Sequence, residues 1–191
     1  MTLQAVLTLV VQVLEEAGVP YMLTGSLAGA YYALPRATQD ADFVIDAPRA
    51  QLGAILDGLE ARGLYVSREA AEEAFQVRGQ FNAIDPERGW KIDLIFRKDR
   101  PFSEEEFARR RPASLLGVAV ALTTLEDLIL AKLEWSRTGE SELQQRDVLQ
   151  LVESGWPGLD LSYIERWVEE LGLGAAWAAI LRRASLPERG S

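Results

Sequence analysis

The sequence predicts an α+β protein, with a sheet-containing core over residues 1–122 and a helical region over residues 123–191. Apolar residues recur at helical spacing over Leu3–Glu16, which predicts a first helix. Over Asp40–Ile45 the side chains alternate between two faces, as they do in a half-buried strand. In the second region the apolar residues keep a helical period, so only helices are expected there.

Composition narrows the chemistry that the chain can carry out. Its 191 residues are 48% hydrophobic and 26% charged, values typical of a globular protein with a sizeable core. The chain has no histidine, which excludes a Ser-His-Asp triad, an imidazole base and histidine-bound zinc. It has no cysteine, which excludes disulfides, thiolate catalysis and cysteine-bound zinc. Acid and base chemistry is therefore left to carboxylates, lysine or tyrosine.

Charge and hydropathy limit the kinds of partner that the protein is expected to have. The formal net charge of −9 argues against a protein that coats nucleic acid through a broad basic surface. The densest basic segment lies at residues 109–111. We favour the interpretation that these arginines are solvated surface charges over the alternative that they line a nucleic-acid binding path. No apolar stretch reaches the length of a membrane span, and the N-terminus lacks the pattern of a signal peptide. We expect a cytoplasmic protein without a membrane partner.

Turn signals and apolar spacing predict the core elements in order. The first helix ends at Gly18, and a strand begins at Tyr21. After the acidic strand, Pro48 begins a helix through about Ala61, and LYV follows as a strand. The segment EAAEEAF is either a short helical turn or an exposed connection. The segments FQVRGQFNAI and WKIDLIF flank DPERG, whose Asp, Pro and Gly favour a turn, so a hairpin is expected.

Capping patterns predict the next helices. Ser103 with Glu106 has the spacing of a capping box for a short helix through the arginines, and LLGVAVAL then suggests a strand pair. Thr123 with Glu126 forms a second capping box, which predicts an amphipathic helix at the start of the helical region.

The helical region continues with a loop near Gly139, a helix over about 141–153 and a turn at WPG. Two helices over about 162–171 and 175–183 follow, and LPERGS is expected to fray. Three aromatic residues of these helices are expected to pack in the core rather than to stack on bases, namely Tyr163, Trp167 and Trp177.

The segment YMLTGSLAGAYYALPRATQDADFVID joins a small-residue turn to two acids one residue apart. A strand, a turn at Gly25 and Ser26, and a helix follow in order, so free N–H groups at the helix start can bind a phosphate. Asp40 and Asp42 share one face of the next strand. Neighbouring carboxylates repel unless a cation compensates, and these oxygen ligands suit Mg²⁺ or Mn²⁺. The alternative is a strand end whose acids face water, with Asp46 capping the next helix.

The spacing of the turn and the acids is similar to a known motif. Gly25 and Ser26 are followed by thirteen residues and then by Asp40 and Asp42, each acid preceding an apolar residue. This pattern resembles the motif of the nucleotidyltransferase superfamily related to DNA polymerase beta. The resemblance implies a mixed β-sheet core with helices packed on it, followed by a small C-terminal helical region.

Within that superfamily the chain most resembles the small bacterial nucleotidyltransferases of the toxin-antitoxin and abortive-infection (AbiEii) type. The pattern of Arg36, Thr38 and the two acids carries this likeness, with the segments TTLEDLILAKLEWSR and RDVLQLV. It covers roughly residues 1–155. The resemblance implies toxin-antitoxin biology.

The resemblance also implies a third catalytic and metal-binding carboxylate on a later strand, and WKIDLIF offers Asp93. Lys91, Asp93 and Ile95 share one face of that strand, and in this register the polar face meets Asp40 and Asp42. A slip of one residue would turn Asp93 to the other face.

Five residues are candidates for nucleotide binding: Gly25, Ser26, Arg36, Thr38 and Lys132. A loop salt bridge for Arg36 and a strand-start hydroxyl for Thr38 are the competing interpretations. Lys132 resembles the family's helical basic residue, which could reach phosphate across the cleft, whereas burial of its methylene stem alone is the alternative. A pairing of Arg146 with Asp147 remains open.

The implied activity is metal-dependent transfer of a nucleotidyl group from a nucleoside triphosphate to a hydroxyl of a protein or an RNA. A cognate toxin or antitoxin protein is the expected partner, and tRNA is less favoured because of the net charge. One alternative is a catalytically silent module that binds nucleotide or a partner. Another is a structural interaction protein, which would leave the clustered carboxylates without a metal.

Overall fold

The computed structural model describes residues 2–33, 38–137 and 141–186. Over these residues the helices and strands follow in the order α1 (Leu3–Glu16), β1 (Tyr21–Thr24), α2 (Gly25–Tyr32), β2 (Asp40–Ile45), α3 (Arg49–Ala61), β3 (Tyr65–Val66), α4 (Arg68–Val77), β4 (Gln80–Ile84), β5 (Lys91–Phe96), α5 (Pro101–Ala108), β6 (Arg111–Leu115), β7 (Val118–Leu122), α6 (Leu125–Trp135), α7 (Ser141–Gly155), α8 (Leu161–Glu170) and α9 (Gly174–Arg183). This confirms the predicted α+β class. No helix in these described ranges has both the length and the apolar character needed to span a membrane.

The described strands form one seven-stranded sheet in the order β3-β4-β5-β2-β1-β7-β6. The pairs β2–β5 and β1–β7 are parallel, and the remaining neighbours are antiparallel. The sheet is therefore mixed, as the resemblance implied. Both predicted hairpins are present, with β4–β5 joined through the DPERG turn and β6–β7 through a turn at Leu116 and Gly117.

The chain divides into two compact units. The first contains the sheet and the helices α1, α3, α4 and α5, and it ends at Thr123. The second contains α6 to α9. The division also passes through α2, because its residues up to Leu27 group with the first unit and those from Ala28 onward group with the second.

The core of the first unit explains where the acids lie. Alternate side chains of β2 and β5 are fully buried on one face of the sheet, and these are Ala41, Phe43, Ile45, Ile92, Leu94 and Phe96. Burial of a large apolar side chain stabilises a fold by about 1.5–3 kcal/mol, so this face fixes the orientation of both strands. Since successive residues point to opposite faces, the residues between them point to the other side.

The second unit is helical. α6 packs against α7 and α8, and α9 packs against α7 and α8. Tyr163, Trp167 and Trp177 are buried, which confirms their predicted packing role. A buried polar cluster joins α6 to α8, in which Asp127 accepts hydrogen bonds from the hydroxyl groups of Thr124 and Tyr163.

The structure shows which of the two predicted conformations the segment EAAEEAF adopts. It also shows that the next strand is shorter than predicted. The segment lies in α4, because the Ser67 hydroxyl accepts from the Ala70 N–H and caps the helix. The predicted strand FQVRGQFNAI was wrong in its first part, since residues 75–77 belong to α4. A left-handed Arg78, with φ of 50°, ends that helix, and β4 begins at Gln80.

Both predicted capping boxes were displaced. α5 begins at Pro101 and ends before the arginines, while Ser103 lies inside the helix and its hydroxyl accepts from Arg100 Nε. α6 is capped by Thr124, whose hydroxyl accepts from the Asp127 N–H, while the Thr123 N–H donates to the Leu23 carbonyl and so continues the β1–β7 pairing. The loop predicted near Gly139 and the segment after residue 186 lie outside the described residues.

Candidate active site

The predicted acids come together on one face of two neighbouring strands. Asp42 of β2 lies directly opposite Asp93 of the parallel strand β5. Asp40 is two residues before Asp42 and therefore on the same face, where it lies opposite Lys91. The register is the one in which the polar face of β5 meets the acids of β2.

A row of polar residues crosses the sheet at this position. Thr24 pairs with Asp42, Asp42 with Asp93, and Asp93 with Asn82 of β4. Their exposure differs, because Thr24 and Asp93 are buried, at 8% and 6%, while Asp42 is half-buried and Asn82 is exposed. Asp40 is also exposed. The acids thus range from a solvent-facing carboxylate to one enclosed by protein.

Lys91 supplies a positive charge beside the acids. Its Nζ lies 2.7 Å from Asp93 Oδ2 and donates a hydrogen bond to it. This hydrogen bond raises the pKa of Lys91, and the charges of Asp93, Asp40 and Asp42 raise it further, while burial acts in the opposite direction. The ammonium group therefore interacts with all three carboxylates.

The turn before α2 is built against one of the acids. Gly25 has φ of +65°, a conformation that side chains rarely adopt, and a β-carbon there would lie 1.9 Å from Asp42 Oδ2. Only glycine leaves room for this contact. Ser26 is the next residue of α2, so the start of this helix and the carboxylate of Asp42 belong to the same site.

The acids carry oxygen atoms of the kind that divalent cations bind in proteins. Asp93 Oδ1 is buried, and none of the described residues makes a hydrogen bond to it. A buried carboxylate oxygen is stable only with a donor or a cation beside it, and Mg²⁺ and Mn²⁺ prefer oxygen ligands of this kind. In the described part of the chain, no three acidic side chains are gathered into a ready-made metal cluster.

The fold is similar to that of several solved nucleotidyltransferases. The antibiotic-resistance factor ANT(2'')-Ia has a TM-score of 0.57 at 16% identity, over 94% of this chain and 95% of that chain. An antigenic nucleotidyltransferase-like protein from Paracoccidioides brasiliensis has a TM-score of 0.56 at 15% identity, over 95% of this chain and 93% of that chain. The lincosamide antibiotic adenylyltransferase LnuA, with lincomycin bound, has a TM-score of 0.53 at 14% identity, over 79% of this chain and 96% of that chain. The chain has a nucleotidyltransferase fold. Its sequence matches no protein-family model and no curated protein.

Two further candidates of the sequence have defined partners within this nucleotidyltransferase fold. The Thr38 hydroxyl accepts a hydrogen bond from the Asp40 N–H at 3.1 Å, so this residue shapes the start of β2. Lys132 lies in α6 with its side chain 8% exposed, and its Nζ is 2.8 Å from Asp147 Oδ2. It also donates to Gln144 Oε1 at 3.3 Å. Arg36 lies outside the described residues.

Sequence reasoning placed Lys91 on the polar face but did not identify it as the partner of the acids. The signal was its position two residues before Asp93, which puts both side chains on the same side of the strand. A lysine there has a stem long enough to bring its ammonium group to neighbouring carboxylates.

Proposed function

We propose that the protein is a metal-dependent nucleotidyltransferase, which transfers a nucleotidyl group from a nucleoside triphosphate to a hydroxyl of an acceptor. One observation supports this above all: Asp42 is paired with Asp93 and also lies against the turn at Gly25. Carboxylates for a cation and a helix start for a phosphate are therefore adjacent. The likeness of the fold agrees with this activity.

The acids would hold the metal. Asp40, Asp42 and Asp93 are the proposed ligands of Mg²⁺ or Mn²⁺, which would supply positive charge to the triphosphate and to the reacting oxygens. The N–H groups at Gly25 and Ser26, with the Ser26 hydroxyl, would bind phosphate oxygens. These residues position the substrate, which is the main protein contribution to phosphoryl-type transfer.

Asp93 would also act as the base. The acceptor oxygen would form a bond to the α-phosphorus as the bond to pyrophosphate breaks, and the hydroxyl proton would pass to the Asp93 carboxylate. Within this carboxylate, Oδ2 accepts from Lys91, whereas Oδ1 makes no hydrogen bond to a described residue. Three further residues remain proposed nucleotide-binding residues, namely Arg36, Thr38 and Lys132. Lys132 would have to bind phosphate while it is paired with Asp147, or leave that pair to do so.

For the acceptor we propose a hydroxyl of a partner protein or an RNA in the cytoplasm, in a toxin-antitoxin system with a cognate toxin or antitoxin. The net charge of −9 favours a protein over tRNA. A second candidate is a cationic small molecule, which the same negative charge would attract. LnuA, which has a similar fold, is an adenylyltransferase of lincosamide antibiotics.

The test is transfer of label from radiolabelled nucleoside triphosphates in Mg²⁺ or Mn²⁺. Acceptors would be total tRNA, a cell extract, an aminoglycoside and a lincosamide, each with the wild type, Asp42→Asn and Asp57→Asn. Asp57 is a matched control, since its side chain is 71% exposed. We expect the wild type and Asp57→Asn to label one acceptor class and Asp42→Asn to label none.

Two results would contradict the proposal. Labelling that survives in Asp42→Asn would show that the chemistry lies elsewhere. Absence of labelling, together with absence of metal-dependent nucleotide binding by calorimetry, would count against the enzyme and its site. Nucleotide binding without turnover, unchanged in Asp93→Asn, would instead favour a catalytically silent regulatory module.

A further inference from the structure

Lys91 and Asp93 form an ion pair whose two members differ in freedom to move. The side chain of Asp93 is 9% exposed, whereas that of Lys91 is 41% exposed. The carboxylate is held by the packed face of β5, because Ile92 and Leu94 on either side of it are fully buried. The lysine has a flexible four-carbon stem and an open route to solvent. If the pair opens, Lys91 is the member that moves.

We infer that the Lys91 ammonium group serves as the resident counter-cation of the three acids, and that it leaves Asp93 when a divalent cation binds and moves to the triphosphate. This inference rests on the proposed function, since it assigns a role to Lys91 within the same site. The inference goes beyond that function because it describes metal binding as an exchange, in which the divalent cation replaces the Lys91 ammonium group beside Asp93.

The need for a resident cation follows from the positions of the acids. Asp42 and Asp93 are directly paired across parallel strands, and Asp40 lies on the same face beside them. Such neighbouring carboxylates repel each other, and a buried one is unstable without compensation. The Lys91 Nζ, 2.7 Å from Asp93 Oδ2, provides that compensation before any metal is present.

Displacement has two consequences of opposite sign. A free metal ion competes with the ammonium group for the negative charge of the Asp93 carboxylate, so Lys91 lowers the affinity of the site for metal alone. A triphosphate offers the displaced ammonium group new anionic partners, so Lys91 raises the affinity for nucleotide. Binding of the metal and of the nucleotide is therefore coupled through one side chain.

A purely structural ion pair would behave differently. Its removal would lower the stability of the fold, but it would not strengthen metal binding and weaken nucleotide binding at the same time. Opposite changes in the two affinities therefore show that the Lys91 charge acts on both ligands, and neither measurement depends on turnover.

The experiment measures two affinities by calorimetry in the wild type, Lys91→Met, Lys91→Gln and Lys98→Met. The first is the affinity for Mn²⁺ alone, and the second is the affinity for a nonhydrolysable nucleoside triphosphate in saturating Mn²⁺. Lys91→Gln keeps an N–H donor toward Asp93 without the charge, and it serves if Lys91→Met does not fold. Lys98→Met removes the same charge from an exposed residue outside the sheet.

We expect Lys91→Met and Lys91→Gln to bind Mn²⁺ about tenfold more tightly than the wild type and the triphosphate about fivefold more weakly. Lys98→Met should match the wild type in both. Unchanged Mn²⁺ affinity in the folded Lys91 variants would overturn the inference and leave the proposed metal site intact. Absence of Mn²⁺ binding in every protein, with and without nucleotide, would overturn the metal site itself and the inference with it.

Discussion

The carboxylate of Asp42 fills the space in which a side chain on Gly25 would begin. Its Oδ2 lies 1.9 Å from the position that a β-carbon at Gly25 would take, and its Cγ lies 2.5 Å from that position. The glycine is therefore required by its surroundings as well as by its φ of +65°. The strand acid and the turn before α2 constrain each other.

Gly25→Ala should disable the site. The added methyl group must displace the Asp42 carboxylate, and the positive φ adds strain of order 1–3 kcal/mol. We expect the proposed nucleotidyl transfer to fall by at least about 100-fold, since the proposed metal ligands would tolerate little displacement. Gly53→Ala in α3 is the control, because no atom lies within 4 Å of a β-carbon there.

The control should keep wild-type activity and gain about 0.5–1 kcal/mol in the free energy of unfolding, because alanine replaces glycine inside a helix. Urea denaturation and label transfer measure both quantities. Wild-type activity in Gly25→Ala would show that the contact with Asp42 is not needed.

The ion pair of Lys91 and Asp93 should respond unequally to loss of its two members. Lys91→Met leaves a buried carboxylate without its donor, and we expect a loss of about 1–3 kcal/mol in the free energy of unfolding. Asp93→Asn leaves a lysine that can turn to water, so its loss should be below about 1 kcal/mol, since exposure screens the charge. Urea denaturation without metal ions compares the two variants, and equal losses would contradict the prediction.

The buried pair of Lys132 and Asp147 should be a larger contributor to stability. Asp147→Asn leaves a lysine charge that is 8% exposed, and we expect a loss of about 3 kcal/mol in the free energy of unfolding. The double variant Lys132→Met/Asp147→Leu should recover most of this loss, because it removes both charges. Arg49→Met is the control, since its exposed pairing with Glu72 contributes at most about 1 kcal/mol.

The same double variant tests the predicted nucleotide role of Lys132. If Lys132 binds phosphate, the double variant is stable but binds a nonhydrolysable triphosphate more weakly. Wild-type affinity in the stable double variant would restrict Lys132 to its packing and pairing role.

Tyr21 should contribute to unfolding at alkaline pH. Burial raises the pKa of its hydroxyl, the charge of Glu15 raises it further, and a hydrogen bond with the Ala121 backbone opposes both. The unfolded chain loses this proton near pH ~10 while the folded protein keeps it. Tyr21 therefore stabilises the fold fully below that pH, and the contribution is lost as the pH rises through the folded-state pKa.

We expect the free energy of unfolding to fall more steeply above pH ~10 in the wild type than in Tyr21→Phe. Tyr65→Phe, at a residue that is 65% exposed, is the control and should follow the wild type. Urea denaturation from pH 8 to pH 11 gives the slopes. Parallel curves for the wild type and Tyr21→Phe would contradict the prediction.

The placement of Asp93 could be predicted because strands have a period of two. Once Ile92 and Leu94 are assigned to the core, Asp93 must face the other side, and the hairpin brings it into the sheet. The apolar residues on either side indicated the orientation, whereas the position of this strand beside Asp40 and Asp42 was implied by the family resemblance. The structure agrees, since both neighbours are fully buried.

The pairing of Lys91 and the exact caps could not be predicted in the same way. A lysine side chain has several rotatable bonds, and its partner depends on which strand lies beside it. Thr123 and Thr124 are both good N-caps, but the Thr124 hydroxyl accepts from the Asp127 N–H, while the Thr123 N–H donates to the Leu23 carbonyl on β1. These choices depend on tertiary neighbours, which local spacing does not specify.

The parallel pairing of β2 with β5 has a consequence for how the candidate site is assembled. The helices α3 and α4 and the strands β3 and β4 all lie between the two strands along the chain. Closing this loop has an entropic cost, so bringing the two carboxylates together requires pairing of segments that are distant in the sequence. A chain in which β2 and β5 have not paired would lack the candidate site. A ligand that binds residues of both strands would bind only the folded state and would therefore stabilise the centre of the sheet.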